Sequence, residues 1–382
     1  MSKVGLILAY KGTNYGALLQ AFATQYSIEK LGHETEIIDY TPGIDRGLNL
    51  SPIGIGYFCM YKAKSIYMKK AFVEDDLFHK ENKQSRREIA DNFRKTRLKN
   101  IVKINGKTNL ITHSKLYDIV LVGSDQLWPP EVGFTYISTL LFAPKGVRRV
   151  SYATSMGVSE YPWYVKSADS KFFNKIDYLS VREERGKQII KEISGRDAKV
   201  VLDPTYLISK EEWEVLIPKR EIIKEHYVFC FFLGDNPAMK RLARDYANKH
   251  GLKVVCIVSN EVIVDDSDYA DIMLVKQTPE DFINLIRNAK CVFTDSFHGF
   301  TFSIINQAQV FVSYRVMQGL KPRNSRIDNI VNTFKIPDRL IKNPETEHLP
   351  EKEIDYKKVT SILNDLRKES IDFLAKALNT SD

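Results

Sequence analysis

The stretch VGLILAYKGTNYGALLQAFATQYSIEKLGHETEIIDY, residues 4–40, decides the fold. Residues 4–10 are apolar almost throughout, which is typical of a parallel strand buried on both faces. Residues 17–31 repeat apolar side chains at helical spacing and end at Gly32, a residue type suited to a helix C-cap. Residues 34–40 read as a second strand. A strand, a helix and a second strand in this order predict a doubly wound parallel sheet.

The second half of the chain repeats this order. Strands are predicted at 226–233 and 252–258 around a helix at 238–250, and the strand 290–294 runs directly into a helix. We therefore predict an α/β fold of two Rossmann-like domains that face each other across a cleft. The predicted domains are 1–215, with a basic helical insertion at 52–107, and 216–382, with a C-terminal helix at 351–378.

Composition excludes several classes of protein. Among 382 residues, 43% are hydrophobic and 27% are charged, which is ordinary for a globular chain and unlike collagen or a disordered protein. The four cysteines are widely scattered, without a CxxC pair, so neither a zinc site nor a disulfide framework is expected. Residues 4–10 do not resemble a signal peptide, and no apolar run approaches the roughly 20 residues of a membrane helix. These features favour a cytoplasmic enzyme without an essential metal.

The positive charge is concentrated in one segment. Between Lys62 and Lys107 there are 14 Lys/Arg and six Asp/Glu, an excess of eight that equals the net charge of the whole chain, +8. A basic segment can face nucleic acid, anionic lipid or an anionic substrate.

The segment KCVFTDSFHGFTFS, residues 290–303, contains the strongest candidate for chemistry. A strand ends there and a helix follows at once, and ligands of open α/β sheets bind at such strand ends. His298 is the side chain of this segment that titrates near neutral pH, so it is a candidate proton donor or acceptor. The alternative is that Asp295 or Ser296 caps the helix and His298 is a hydrogen-bonded histidine of the turn.

Other predicted strand ends carry polar side chains. The loop 12–16 contains glycines that allow a ligand to approach, although it matches neither GxGxxG nor a P-loop. Ser124, Asp125 and Gln126 follow a strand, where Asp125 is either a base or part of an Asx turn. Arg182 ends another strand and suits a phosphate or carboxylate, unless it pairs with a neighbouring glutamate at the surface. Arg326 is either a second anion anchor or a surface residue.

Taken together, these segments resemble the polysaccharide pyruvyl transferase family. The resemblance extends from about Lys3 to about Arg339, and TDSFHG is its most distinctive part. The matching pieces, in order, are NYGALLQA, GSDQLW, SVREERG, VLDPTYL, PEDFINLIRNAKCVFTDSFHGFTFSI and NSRI.

The resemblance implies a glycosyltransferase-B-like fold and the transfer of pyruvate from phosphoenolpyruvate onto two hydroxyls of a sugar, giving a cyclic ketal. The histidine of the family falls on His298 and its arginine on Arg182. Relatives often have an arginine two residues before the histidine, where this chain has Ser296, so Arg326 is the candidate substitute. The expected donor-binding residues are Arg182, Ser296, Phe297, Gly299 and Arg326.

The resemblance also suggests catalytic roles. His298 is expected to protonate C3 of the enol or the departing phosphate, and Asp125 to act as a base on the acceptor side. No cofactor is expected beyond phosphoenolpyruvate as co-substrate. The expected acceptor-binding residues are Asn14, Tyr15, Gly16, Ser124 and Gln126.

The acceptor implied by the resemblance belongs to exopolysaccharide, capsule or cell-wall assembly and is expected to be lipid-linked. The segment 52–107 would then contact the inner face of the membrane peripherally, or it is a solvated helix packed on the N-terminal domain. A nucleotide-sugar-dependent glycosyltransferase is the alternative enzyme. A nucleic-acid binder is suggested by the pI of about 9.0, but no nucleic-acid motif accompanies the charge. The sequence leaves open the acceptor sugar, the oligomeric state and whether the protein is a family member that has lost its catalytic activity.

Overall fold

A computed structural model describes residues 1–42, 59, 77–130, 136–158, 160–162, 166–258, 268–315 and 325–379. Its first half contains the strands β1 (Lys3–Ile7), β2 (Glu34–Thr41), β3 (Ile101–Asn105), β4 (Ile119–Val122) and β5 (Arg148–Ser151). These strands form one parallel sheet in the order β3-β2-β1-β4-β5. A separate parallel pair, β6 (Ser180–Val181) and β7 (Lys199–Val200), lies beside β5 and is linked to it through a bridge between Val150 and Tyr178.

Helices connect the strands of this half, as parallel pairing requires. They are α1 (Tyr15–Lys30), α2 (Leu77–Arg97), α3 (Lys107–Ser114), α4 (Lys166–Phe173) and α5 (Glu184–Ser194), with short 3₁₀ turns at Tyr136–Thr139 and Pro204–Leu207. Helix α6 (Lys210–Leu216) leads into the second half.

The second half forms a sheet from β8 (Tyr227–Phe231), β9 (Lys253–Ile257), β10 (Ile272–Leu274), β11 (Cys291–Thr294), β12 (Val310–Ser313) and β13 (Leu340–Ile341). All neighbours are parallel, in the order β10-β9-β8-β11-β12-β13. Its helices are α7 (Pro237–His250), α8 (Pro279–Asn288), α9 (Phe297–Asn306), α10 (Ser325–Thr333) and α11 (Tyr356–Leu378), with a 3₁₀ turn at Pro337–Arg339. The expectation of an α/β protein with two Rossmann-like sheets, as in glycosyltransferase-B folds, is confirmed.

Strand order reverses once in each sheet, between β1 and β4 and between β8 and β11. At such a point the connecting helices leave on opposite faces of the sheet, and the loops at the carboxyl ends of the strands border a crevice. The predicted candidate segments 12–16, 124–126 and 290–303 reach into the loops after β1, β4 and β11, so each lies at a reversal point.

The predicted basic insertion at 52–107 is wrong at its carboxyl-terminal end. Residues 101–105 are strand β3, which pairs with β2 in the register Ile37↔Ile101 to Thr41↔Asn105. Residues 52–76, apart from Cys59, lie outside the described residues. Within the rest of the segment, α2 packs Ala90 and Phe93 into a buried cluster with residues of both halves.

The C-terminal helix also differs from its prediction. It begins at Tyr356, after the N-cap Asp355, rather than at 351. Its final residues Leu374, Ala377 and Leu378 are buried in the core around β1 and β4 of the N-terminal half. The helix therefore joins the two halves, although the sequence suggested that it belongs to the second domain.

The halves meet through a buried aromatic contact as well. The Tyr15 ring of α1 lies 6.2 Å from the Phe231 ring at the end of β8 and 5.7 Å from the Phe282 ring of α8. Burying such side chains contributes about 1.5–3 kcal/mol each. This contact fixes the start of α1 against the second sheet, next to the loop after β11.

Candidate active site

The segment TDSFHG shapes the start of α9. Ser296 is the N-cap, and its hydroxyl oxygen accepts a hydrogen bond from the Gly299 backbone N–H at 3.3 Å. Gly299 has no room for a side chain, because a Cβ there would lie 2.5 Å from Thr294 Oγ1. The two oxygens of Asp295 accept hydrogen bonds from the backbone N–H groups of Leu233 and Gly234, at 2.7 and 2.8 Å. Ser296 and Gly299, expected to bind the donor, therefore hold the loop in shape.

The His298 side chain lies between the two halves. Its exposed fraction is 7%, and a Cβ placed on Gly16 would lie 2.1 Å from His298 Nδ1, so α1 can pass only because residue 16 is glycine. His298 Nε2 is 3.8 Å from Asp203 Oδ2 and is buried without a hydrogen-bond partner. The imidazole is thus packed against α1 on its Nδ1 side, and its Nε2 faces the Asp203 carboxylate without a hydrogen bond.

Arg182 lies at the centre of a buried polar cluster. Its Nη1 donates to Asp203 Oδ2 at 2.7 Å and to Ser124 Oγ at 3.3 Å, and its Nη2 donates to Asp125 Oδ1 at 3.4 Å. The guanidinium carbon lies 4.3 Å from the centroid of the Phe297 ring, a cation–π distance. Only 1% of this side chain is exposed, so Arg182 is not a surface residue paired with solvent-exposed glutamates.

The Asp203 and Asp125 carboxylates remain ionised in this cluster. Burial alone would raise the pKa of Asp203, but the neighbouring His298, Arg182 and Ser124 lower it well below its usual range. Burial likewise opposes ionisation of Asp125, yet the charges of Arg182, His298 and Arg326 lower its pKa below the ordinary value. A carboxylate with a lowered pKa is a weak base, which argues against Asp125 as the proton acceptor.

Arg326 differs from Arg182 in its charge balance. It starts α10 and lies over the same Phe297 ring, with its guanidinium carbon 5.9 Å from the ring centroid. Its Nε is buried without a hydrogen-bond partner. Burial and the Arg182 charge lower the pKa of Arg326 to about 10, although Glu183 and Asp125 act in the opposite direction. An anion beside Arg326 would compensate its charge, so Arg326 is the better candidate for an anion anchor.

Three of the expected acceptor residues are engaged in packing or hydrogen bonds within the protein. Tyr15 is 1% exposed, its hydroxyl donates to the Gln277 carbonyl, and the Arg86 guanidinium covers its ring at 4.2 Å. Gly16 is packed under His298. Ser124 is fully buried and donates to Asp203 Oδ2 at 2.7 Å. These residues support the site by packing and hydrogen bonding and do not offer groups to an acceptor.

The other two expected acceptor residues are half-buried. Asn14 is the N-cap of α1, and its side-chain oxygen accepts a hydrogen bond from Ala17 N–H at 3.3 Å. Gln126 packs against Gly157, where a Cβ would lie 2.6 Å from Gln126 Nε2. Gly157 has φ +66°, so the turn under Gln126 also favours glycine.

Sequence reasoning missed two residues of the cluster, Asp203 and Glu183. Asp203 is a carboxylate directly after a strand that the sequence predicts at 199–202, the same signal that singled out Asp125. Glu183 entered only as a surface partner of Arg182 in the alternative interpretation, but it is 1% exposed and accepts a hydrogen bond from the Ser155 hydroxyl. A sequence pattern does not reveal that this glutamate turns inward.

Three arginines of α2 are engaged within the protein. Arg86 donates to the Val258 carbonyl at 3.1 Å, and Arg94 donates to the carbonyls of Tyr10 and Gly12 at 3.0 and 2.9 Å. Arg97 pairs with Glu280 of α8 at 2.9 Å. These cations connect α2 to the loop after β1 and to the second half.

None of the helices in the described part of the chain is both long and apolar enough to cross a membrane. None of its groups of three or more His, Cys, Asp or Glu side chains has a geometry that could hold a metal ion.

A family model for polysaccharide pyruvyl transferases matches residues 14–314, which is most of the chain. The chain belongs to the polysaccharide pyruvyl transferase family. This membership identifies it as a transferase family member and places the cluster around Arg182 and His298 inside the matched region. No curated protein sequence matches the chain.

Solved structures resemble this family member in fold. A crystal structure of a UDP-N-acetylglucosamine 2-epimerase matches with a TM-score of 0.50 and 10% identity, over 98% of this chain and 90% of the other. The UDP-GlcNAc 2-epimerase of Neisseria meningitidis, bound to UDP-GlcNAc, gives 0.49 and 11% over 98% and 94% of the two chains. The glycosyltransferase SnogD from Streptomyces nogalater gives 0.41 and 11% over 97% and 95%. At these identities the likeness concerns the fold alone.

Gly16→Ala tests the contact between α1 and the imidazole. Alanine in a helix is ordinarily more stable than glycine by about 0.5–1 kcal/mol. Here we expect a lower melting temperature, because the new methyl group overlaps His298. Gly12→Ala is the control, since a Cβ at Gly12 meets no atom within 4 Å. Equal melting temperatures for both variants would contradict the contact.

Asp203→Asn tests the buried ion pair. Removing one partner of such a pair costs about 3–5 kcal/mol, so we expect a large loss in the free energy of unfolding, measured with urea. Because the folded state lowers the pKa of Asp203, its stabilisation is present at neutral pH and is lost as the pH falls below about 4. The difference from wild type should shrink on acidification. Asp197→Asn, which alters a carboxylate that is 76% exposed, should change stability by less than about 0.5 kcal/mol.

Proposed function

We propose that this protein transfers pyruvate from phosphoenolpyruvate to a saccharide of a polysaccharide or lipid-linked oligosaccharide, forming a pyruvate ketal. The observation that carries the proposal is a buried cluster in which the incompletely compensated guanidinium of Arg326 and the His298 imidazole both act on Asp125, in a member of the pyruvyl transferase family. The first group suits an anionic donor, and the second suits proton transfer.

Donor binding follows from the charges of the cluster. Phosphoenolpyruvate carries a carboxylate and a phosphate, and guanidinium groups bind both through paired hydrogen bonds. Arg326 has an unpartnered Nε, whereas Arg182 already donates to Asp203 and Asp125. Arg326 therefore makes the direct contact, and Arg182 fixes the Phe297 ring over which both guanidiniums lie. The amino-terminal end of α9 adds a favourable dipole for the anion.

The chemistry requires a proton at C3 of the enol. His298 donates this proton, which makes C2 electrophilic, and a sugar hydroxyl oxygen then attacks C2. The bond from C2 to the phosphate oxygen breaks, and a second hydroxyl closes the ketal ring. The Asp203 carboxylate, 3.8 Å from Nε2, favours the protonated imidazole through its negative charge. General acid catalysis of this kind contributes about 10²- to 10⁴-fold.

Binding of the donor is tested by thermal shift. Saturating phosphoenolpyruvate should raise the melting temperature by several degrees, because a ligand at 100 times its Kd stabilises by about 2.7 kcal/mol. UDP and GDP should have no effect. Stabilisation by UDP or GDP and not by phosphoenolpyruvate would contradict the proposal and favour a nucleotide-sugar glycosyltransferase. Arg326→Gln should lose the shift, and Arg241→Gln, at an exposed arginine, should keep it.

Catalysis is tested by release of phosphate from phosphoenolpyruvate in the presence of lipid-linked acceptors. We expect His298→Ala to lower the rate by about 10²-fold or more. His226→Ala, at an exposed histidine, is the control and should retain the wild-type rate. Full activity of His298→Ala would show that the proton comes from another group.

A further inference from the structure

The Glu183 side chain is buried in an unusual way for its position. It is the N-cap of α5, yet it makes no capping hydrogen bond to that helix. The side chain instead turns into the cluster, where Oε1 accepts a hydrogen bond from the Ser155 hydroxyl and lies 3.7 Å from Arg182 Nε. Its other oxygen, Oε2, is fully buried and has no hydrogen-bond partner. A buried acceptor left in this state costs about 1–3 kcal/mol, and more when it is charged.

The groups around Glu183 indicate which kind of hydrogen-bond partner would complete this cluster. The Nε atoms of Arg182 and Arg326 are likewise buried without hydrogen-bond partners. Arg326 is near enough for the Glu183 charge to raise its pKa against the effect of burial. The Asp125 carboxylate shares the same two arginines. The cluster therefore contains a buried acceptor, Glu183 Oε2, and buried N–H donors that have no hydrogen-bond partners.

A hydroxyl group fits this combination. Because the Nε of Arg326 is assigned to the anionic donor, the unpartnered Nε of Arg182, 3.7 Å from Glu183 Oε1, is the donor left beside Glu183. Close to the Glu183 oxygens an anion would be repelled by the carboxylate, and a further cation would be repelled by the two guanidiniums. A neutral hydroxyl can donate its hydrogen to a carboxylate and accept from an N–H group at the same time. Sugars present hydroxyls in pairs, which is the form of acceptor that a ketal requires.

We propose that Glu183 forms the acceptor subsite: Oε2 accepts a hydrogen bond from the reacting sugar hydroxyl and takes its proton as the hydroxyl oxygen attacks C2. This assignment rests on the function proposed above. It replaces the acceptor role expected for Tyr15, Gly16 and Ser124, which the fold itself uses. It also replaces Asp125 as the base.

The protons and electrons of the step balance. The O–H bond of the first hydroxyl breaks, its proton goes to Glu183, and the oxygen electron pair forms the bond to C2. The C3 proton comes from His298, and the Glu183 proton restores the imidazole through solvent. Phosphate leaves C2 with the electrons of its C–O bond and takes up the proton of the second hydroxyl as the ring closes. Two hydroxyl protons thus become one C–H and one phosphate O–H.

The closing experiment compares Glu183→Gln with Asp125→Asn. Phosphate release is measured against pH at saturating phosphoenolpyruvate, with the acceptor that gives the fastest wild-type rate among galactose, N-acetylglucosamine, N-acetylmannosamine and their lipid-linked forms. We expect Glu183→Gln to lower kcat by about 100-fold or more, to abolish the fall of kcat at acidic pH, and to keep the thermal shift with phosphoenolpyruvate. Asp125→Asn should keep the acidic fall. Glu184→Gln, at the exposed neighbour, should behave as wild type.

The outcomes separate this assignment from the proposed function. Wild-type turnover together with an unchanged acidic fall in Glu183→Gln overturns the assignment alone. Disappearance of the fall in Asp125→Asn instead returns the role to Asp125. A wild-type protein that releases no phosphate with any of these acceptors contradicts the proposed function, and the assignment with it.

Ser155→Ala keeps the test open if Glu183→Gln does not fold. This variant removes the donor to Oε1 and leaves the carboxylate charge in place. Because that hydrogen bond holds the carboxylate in place, its loss should lower kcat by about 10-fold or more, while the thermal shift with phosphoenolpyruvate persists. A wild-type kcat in a folded Ser155→Ala protein contradicts the assignment.

Discussion

The ion pair between Arg182 and Asp203 is the constraint on which the site depends. Both side chains are almost wholly buried, and their charges are tolerable there only because the pair is close and further hydrogen bonds surround it. Arg182 follows β6 and Asp203 follows β7, yet through Ser124, Asp125 and Phe297 the pair also binds the loops after β4 and β11. Four strand ends from three sheets are thus held around one guanidinium.

The arginines of this cluster have different roles. Arg182 is surrounded by carboxylates and serves as a fixed anchor, while Arg326 is less well compensated and remains available. Arg315 adds a third positive charge, since it also lowers the pKa of Arg326. Three arginines then face three carboxylates, Asp125, Glu183 and Asp203, so an incoming anion meets a cluster whose charges are close to balance. Such a site selects an anion by the positions of its charged groups as well as by its charge.

The sequence predicted the central strands well and the edges poorly. Strands β1, β4, β8 and β11 are buried on both faces and appear as continuous apolar runs. The strands that were missed, β3, β10 and β13, all lie at sheet edges. Strands β3 and β10 are partly exposed, and β13 has only two residues, too few to show a pattern. For example, Lys103 interrupts the apolar pattern of β3, and no turn signal separates this strand from the basic helix before it. The candidate site was found for a related reason. Its loops follow central strands, so His298, Arg182 and Asp125 could be placed, whereas the inward turn of Glu183 depends on Ser155, 28 positions away in the chain.

The contact between Gly16 and His298 has a consequence for how such proteins can diverge. His298 belongs to the C-terminal half, but the space for its imidazole is set by the backbone of α1 at Gly16, in the N-terminal half. The two halves therefore cannot be exchanged between relatives as independent modules unless both surfaces of this contact are carried across together. A change in the angle between the sheets would alter the position of the imidazole before it altered any bond within either sheet.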